Sequence, residues 1–247
     1  MLRARIIPFL LVTGGDLIKT TKFQNENYIG DPLNTVRIFN EKKCDEISIF
    51  DIKASTNNLK PNYDLIRDIA NEARMPVTYG GGIKNRTDAI KIFNYGIEKI
   101  SVSSLYFENR NEVSEIIESV GSQSTVVTLD IKLDNGKYSI YTNRGKKKID
   151  TDLVYILQDL HELKVGEIVI NNIDREGTME GYDHNLIKLI YENTKIPITI
   201  LGGVSQAKDI QEAIGKYGSI GYGCSSFFIY KGPRKAVLIS YKNTFHD

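Results

Sequence analysis

The chain has 247 residues, 41% of them hydrophobic, with 32 basic and 31 acidic side chains and a formal net charge of +1. A chain of that length can bury a large core, and its balanced charge offers no electrostatic footprint for nucleic acid. Two cysteines, Cys44 and Cys224, are far too few for a disulfide scaffold and fit a reducing cytoplasm.

The first apolar stretch, Ile6 to Val12, is broken by Pro8 and followed by no small-residue cleavage site. It is too short to cross a bilayer, so a soluble cytoplasmic protein with no membrane partner is expected. It predicts a strand near 4–12. A long connection follows, Thr13 to Asp31, with Gly14-Gly15 and Lys19. Helices near 32–43, 62–73, 86–95 and 110–120 then alternate with strands near 45–52, 76–80 and 98–103. Asn85 is placed to cap the third helix.

A strand near 124–131 opens the second part of the chain. Leu133 to Ile149 reads as a hairpin with Asp134-Asn135-Gly136 at its tip and a basic run, Arg144-Gly145-Lys146-Lys147-Lys148. Helices near 151–163, 184–193 and 205–215 alternate with strands near 166–171, 196–201 and 219–223, with Ser205 as the last cap. The tail, Lys231 to Asp247, is ambiguous; Ala236 to Tyr241 suits strand or helix. Short β-rich runs alternating with amphipathic stretches predict an α/β fold, one (βα)8 TIM barrel domain over 1–247.

The chain repeats itself. Gly80-Gly81-Gly82-Ile83 and Leu201-Gly202-Gly203-Val204 lie 121 residues apart, and in each half a serine, Ser104 or Ser225, follows the last glycine by 22 residues. Glu46-Ile47-Ser48-Ile49-Phe50-Asp51-Ile52 matches Glu167-Ile168-Val169-Ile170-Asn171-Asn172-Ile173 at the same offset. A unit this long exceeds a solenoid repeat and suits four βα units. The halves would be about 1–122 and 123–247.

Glycine turns at strand ends can hold phosphate through backbone N–H groups without cationic side chains. The first cradle would use Gly82, Ser103 and Ser104; the second would use Gly177, Gly203, Cys224 and Ser225. Glycines also simply make tight turns, but matched spacing in both halves favours a substrate phosphorylated at both ends. Asp130 closes the fifth strand, where barrel enzymes keep their acids and bases. Its counterpart on the first strand is Leu11, at an offset of 119 that a strand-end bulge could absorb. Duplicated carboxylates are therefore missing, leaving Asp51 as a second acid that could equally orient a loop.

Arg5, Glu46, Lys99 and Glu167 fall at strand starts, on the opposite face, with signs that cancel; taken alone they would serve stability. His161, His184 and His246 lack metal-ligand spacing and no redox motif occurs, so neither metal nor cofactor is expected.

These residues resemble one family: HisF, the cyclase subunit of imidazole glycerol phosphate synthase. The resemblance runs from Arg5-Ile6-Ile7-Pro8 to Ser225. It includes Gly30-Asp31-Pro32, Asp51-Ile52-Lys53-Ala54-Ser55, the two glycine turns, and Asp174-Arg175-Glu176-Gly177-Thr178-Met179-Glu180-Gly181-Tyr182-Asp183. It implies a (βα)8 barrel receiving ammonia from a HisH-like glutaminase partner, since no glutaminase triad is present here. It also implies that Arg5, Glu46, Lys99 and Glu167 form a charged gate at the ammonia entrance. The family's pattern has aspartates at positions 11 and 130, and only Asp130 is present; Glu176 and Ser103 replace an Asp and an Asn. Lys19 matches the lysine of a mobile first loop.

Phe9-Leu10-Leu11-Val12, Lys19-Thr20, Lys22-Phe23 and Lys235-Ala236-Val237-Leu238-Ile239-Ser240-Tyr241 are similar to a HisF-like clade, WbuZ, from surface-polysaccharide gene clusters. That likeness implies delivery of ammonia to a phosphorylated or nucleotide-linked sugar precursor, with Asp130, Lys19 and Asp51 as candidate catalytic groups. Two alternatives stand beside it: the histidine-pathway cyclase itself, and a non-catalytic barrel that channels ammonia elsewhere.

Overall fold

A computed structural model describes residues 3–241. Eight parallel strands form its barrel: β1 (Arg5–Thr13), β2 (Ile47–Asp51), β3 (Val77–Gly80), β4 (Lys99–Val102), β5 (Thr125–Asp134), β6 (Glu167–Asn172), β7 (Ile198–Leu201) and β8 (Gly221–Cys224). Each pairs with its neighbour in sequence, and β1 pairing β8 closes the sheet into the α/β (βα)8 TIM barrel. Successive side chains point to opposite faces of a strand. Ile6, Leu10, Ile47, Ile49, Ile168 and Ile170 pack outward in the main core, whereas Ile7, Phe9, Val126, Val169 and Leu201 form a separate dry cluster inside the barrel.

Seven principal helices cover the outside: α1 (Pro32–Glu41), α2 (Tyr63–Glu72), α3 (Arg86–Asn94), α4 (Arg110–Val120), α5 (Leu153–Glu162), α6 (His184–Asn193) and α7 (Ala207–Tyr217). Asp31 caps α1 by accepting from Asn34 N at 2.7 Å, with Pro32 at the first helical position, where a missing N–H costs nothing. Asn85 caps α3 as its position suggested. The last helix starts two residues later than expected. Asp209 accepts from both Ser205 N and Ser205 Oγ at 2.8 Å, which makes Gln206 the cap instead of Ser205.

Thr13 to Asp31 differs more from the expected connection. Gly14 and Gly15, at φ of 60° and 94°, turn the chain back so that Asp16–Thr21 pairs antiparallel with β1. Gln24–Gly30 then adds a further strand. The second excursion is the expected hairpin: β5 pairs with Lys137–Thr142 across Asn135-Gly136, both at positive φ. In the tail, Ala236–Val237 pairs with Tyr230–Lys231, and Tyr241 donates to the Ile6 carbonyl at 3.3 Å. His246 lies outside the described residues.

The registers place the two halves in step at the upper rim. Leu11 pairs with Phe50 as Asp130 pairs with Asn171, and Val12 with Asp51 as Ile131 with Asn172. The two-residue slip is not a bulge in β1, whose pairing with β2 is unbroken. It lies in the connections, which carry Leu11 to Phe50 in 39 residues and Asp130 to Asn171 in 41. Among the described residues, no helix is long and apolar enough to cross a membrane.

Candidate active site

The strands' carboxyl ends open into one cleft, continuous with solvent. Residues from both halves line it, including Leu11, Phe50, Asp51, Gly82, Ser103, Ser104, Asp130, Asn171, Gly177, Gly203 and Ser225. Thus most of the expected site residues converge there. Cys224 does not. Alternation along β8 turns Gly223 and Ser225 inward and Cys224 outward, where its thiol meets Tyr222 O and Tyr182 in the core.

Asp130 is half-buried at the mouth, with its carboxyl largely withdrawn from solvent. Burial pushes its carboxyl up to about 7, and the nearby charge of Glu176 adds to the rise, while a 2.8 Å hydrogen bond from Asn171 Nδ2 opposes it. A carboxyl titrating near neutrality can both give and take a proton. Leu11, its register mate, can do neither. Asp51 has a different task. Its Oδ1 accepts from Lys53 N and Ala54 N, both at 3.1 Å, and so shapes the loop after β2.

Lys19 lies on the strand Asp16–Thr21 and is only 1% exposed. Its ammonium donates to Ser225 Oγ, which in turn donates to Phe9 O. Burial lowers Lys19 to about 8 against the pull of Glu176. Glu176 also fastens this hairpin: it accepts from Thr20 Oγ1 at 2.9 Å and from Phe23 N at 3.0 Å. A carboxylate one methylene longer than aspartate therefore acts as a clamp.

Two of the expected cradle glycines have a packing reason as well. A Cβ on Gly177 would lie 2.2 Å from Thr20 O, and one on Gly203 would lie 2.0 Å from Gly181 O. Backbone approaches this tight exclude any side chain. Two one-turn helices that the strand and helix pattern did not place, Ser104–Glu108 and Ser226–Ile229, follow directly after β4 and β8. Their leading residues, Ser103 and Ser225, make no side-chain cap bond, which leaves the first N–H groups toward the cleft open to an anion. The paired Ser-Ser steps before aromatic runs were the available cue.

At the other end of the barrel the charged residues meet. Arg5 Nη1 and Nη2 contact Glu46 and Glu167 at 2.8 Å, and Lys99 Nζ reaches the same two carboxylates at 3.1 and 2.9 Å. Two cations and two anions alternate in a closed ring. Burial opposes charge on both Arg5 and Glu167, yet their mutual hydrogen bonds and charges win, raising the guanidinium and lowering the carboxyl. Thr199 donates to Glu167 and Thr78 to Glu46, which fixes the ring to β7 and β3.

The chain matches the histidine biosynthesis protein family over residues 5–229. It is 49% identical to a Leptospira borgpetersenii protein provisionally named imidazole glycerol phosphate synthase subunit HisF, over 98% of this chain and 96% of that one. It is 47% identical to a protein of the same provisional name from Leptospira interrogans, with the same coverage. To the imidazole glycerol phosphate synthase subunit HisF of Chlorobium limicola it is 34% identical, over 86% of this chain and 84% of that one. The chain belongs to the HisF family.

Proposed function

We propose that this barrel is the ammonia-using synthase subunit of a glutamine amidotransferase, and that it amidates an activated, phosphorylated or nucleotide-linked sugar precursor of a surface polysaccharide. The observation that carries this reading is the mouth itself: Asp130 beside Asn171 in one half, Leu11 beside Phe50 at the matching register in the other. A reaction that needs carboxylates at both of these matched strand-end positions finds only Asp130 there. Adding ammonia to an activated amide carbon needs one base. The new C–N bond forms, the activating group leaves with its electron pair, and Asp130 takes the proton from nitrogen. Lys19 and the helix starts at Ser104 and Ser226 would neutralise phosphate charge.

The route of nitrogen supports the same reading. Below the mouth the barrel interior holds an apolar cluster, Ile7, Phe9, Val126, Val169 and Leu201, beside the mutually bonded hydroxyls of Ser101 and Thr128, and under it sits the neutral ring of Arg5, Glu46, Lys99 and Glu167. An uncharged nitrogen nucleophile entering from a HisH-like glutaminase would cross such a layer far more easily than an ion would. With glutamine as nitrogen source, the rate should rise through pH 7 as Asp130 ionises and fall through about pH 8 as Lys19 loses its proton.

The relatives' names favour a second reading, the cyclase of imidazole glycerol phosphate synthase. Purified chain, an ammonium salt and a panel of activated acetamido-sugars separate the two. Amidated sugar is expected; imidazole glycerol phosphate from the phosphoribulosyl precursor would favour the cyclase.

A further inference from the structure

We propose that a second, basic recess beside the cleft holds the diphosphate of the substrate. Resting on the proposed function, this assigns the substrate's charged end to a place outside the barrel mouth. The recess lies between the two hairpins. Lys22 comes from the first hairpin's turn, Lys132 from the extension of β5, and Lys146 from the second hairpin's turn. Three cations from three separate stretches of chain converge on one concavity.

Their neighbours are paired and they are not. Lys148 meets Asp134 at 2.7 Å and Lys137 meets Asp152 at 3.0 Å, whereas Lys22, Lys132 and Lys146 form no ion pair among the described residues. The recess has one carboxylate, Asp174, and its Oδ2 already accepts from Leu133 N at 2.9 Å. Three exposed ammonium groups around one recess repel one another weakly through solvent, and an anion placed between them would be favoured. A diphosphate, compact and multiply charged, suits that place better than a single carboxylate does.

The walls are built rather than incidental. Lys22, Phe23, Asn143 and Arg144 all adopt positive φ, between 52° and 63°, a conformation side-chain-bearing residues rarely take. Arg144 locks the two turns together, donating to Phe23 O at 3.0 Å and pairing with Glu26 at 2.9 Å. Phe23 and Arg144 also line the main cleft, so the recess and the mouth share a wall. A sugar at Asp130 could therefore extend its diphosphate past Arg144 into the recess.

Calorimetric titration with inorganic pyrophosphate and with uridine diphosphate tests this at low salt. The combined Lys22→Ala, Lys132→Ala and Lys146→Ala variant should bind both ligands about tenfold or more weakly, with a shallower salt dependence. A control carrying Lys137→Ala, Lys188→Ala and Lys208→Ala should bind as the parent does. All six side chains are exposed, so thermal melting should be nearly unchanged in both. Lysine-dependent binding supports the proposal in either form: tighter binding of uridine diphosphate would add a contact to the nucleoside, and equal affinities would show that the diphosphate alone is recognised. Parent-like binding by the first variant, or no binding of either ligand by the parent, would overturn the proposal. The two readings fail separately. Lysine-dependent binding without any amidated product would remove the proposed function and leave the recess. Amidation with an unchanged KM in the lysine variant would remove the recess and leave the function.

Discussion

The two halves of the barrel hold the same register at their upper rim and opposite chemistry. One half presents Leu11 next to Phe50; the other presents Asp130 next to Asn171. Neighbouring glycines make room for the apolar side. A Cβ on Gly80 would sit 3.1 Å from the Phe50 ring, and one on Gly223 would sit 2.9 Å from the Phe9 ring, which itself meets Phe50 edge to face. In the polar half the amide of Asn171 donates to Asp130 and favours its ionised form against the effect of burial. On the proposed function, a duplicated scaffold thus leaves one side to bind and the other to move protons.

The sharpest way to break that division is Asp130→Asn. The substitution keeps the shape and removes the proton acceptor, so amidation should fall by roughly a thousandfold. Near-parental turnover would show that the polar half is not the reacting one. Lys99→Ala attacks the opposite end. It leaves Glu46 and Glu167 to share Arg5 alone, at a stability cost of about 3 kcal/mol. With the barrel still folded, glutamine-supported product should drop about tenfold or more while ammonium-supported product changes little. Equal losses with both nitrogen sources would count against passage through the ring.

Asp130 also shapes stability. Its folded carboxyl is raised to about 7 from the ordinary aspartate value, so its contribution is favourable only at low pH and is lost as pH rises through 7. Asp130→Asn should therefore melt higher than the parent at pH 8, by roughly 2–4 kcal/mol of stability, with the gap closing toward pH 4. Urea titrations at both pH values would measure it. The smallest effect is expected from Leu11→Asp. A second carboxyl lining the same mouth should push the Asp130 titration upward by about a unit or less, visible as a shifted acidic limb of the rate profile. A shift in the other direction would contradict like-charge coupling across the rim.

Much of this was legible before any coordinates. The barrel follows from alternating β-rich and amphipathic stretches, and the charged ring from four strand-start residues whose signs cancel. Asp130 could be placed because strand-end position is a local property. The first hairpin was hidden because Asp16–Thr21 buries Leu17, Ile18, Lys19 and Thr20 in a row, without period-two alternation. Its partner Gln24–Gly30 is polar and largely exposed, which reads as loop. Asn171 required the register of β5 against β6, a pairing across 41 residues that spacing alone does not supply. The outward direction of the Cys224 thiol required the alternation along β8, which adjacency to Ser225 does not supply.

The most direct test of a mouth with Leu11 at the position matching Asp130 is product analysis with the purified chain, an ammonium salt and the phosphoribulosyl precursor of imidazole glycerol phosphate, run beside an activated acetamido-sugar. The account predicts a new amidine on the sugar and no imidazole product. Robust formation of imidazole glycerol phosphate with Leu11 in place would contradict it.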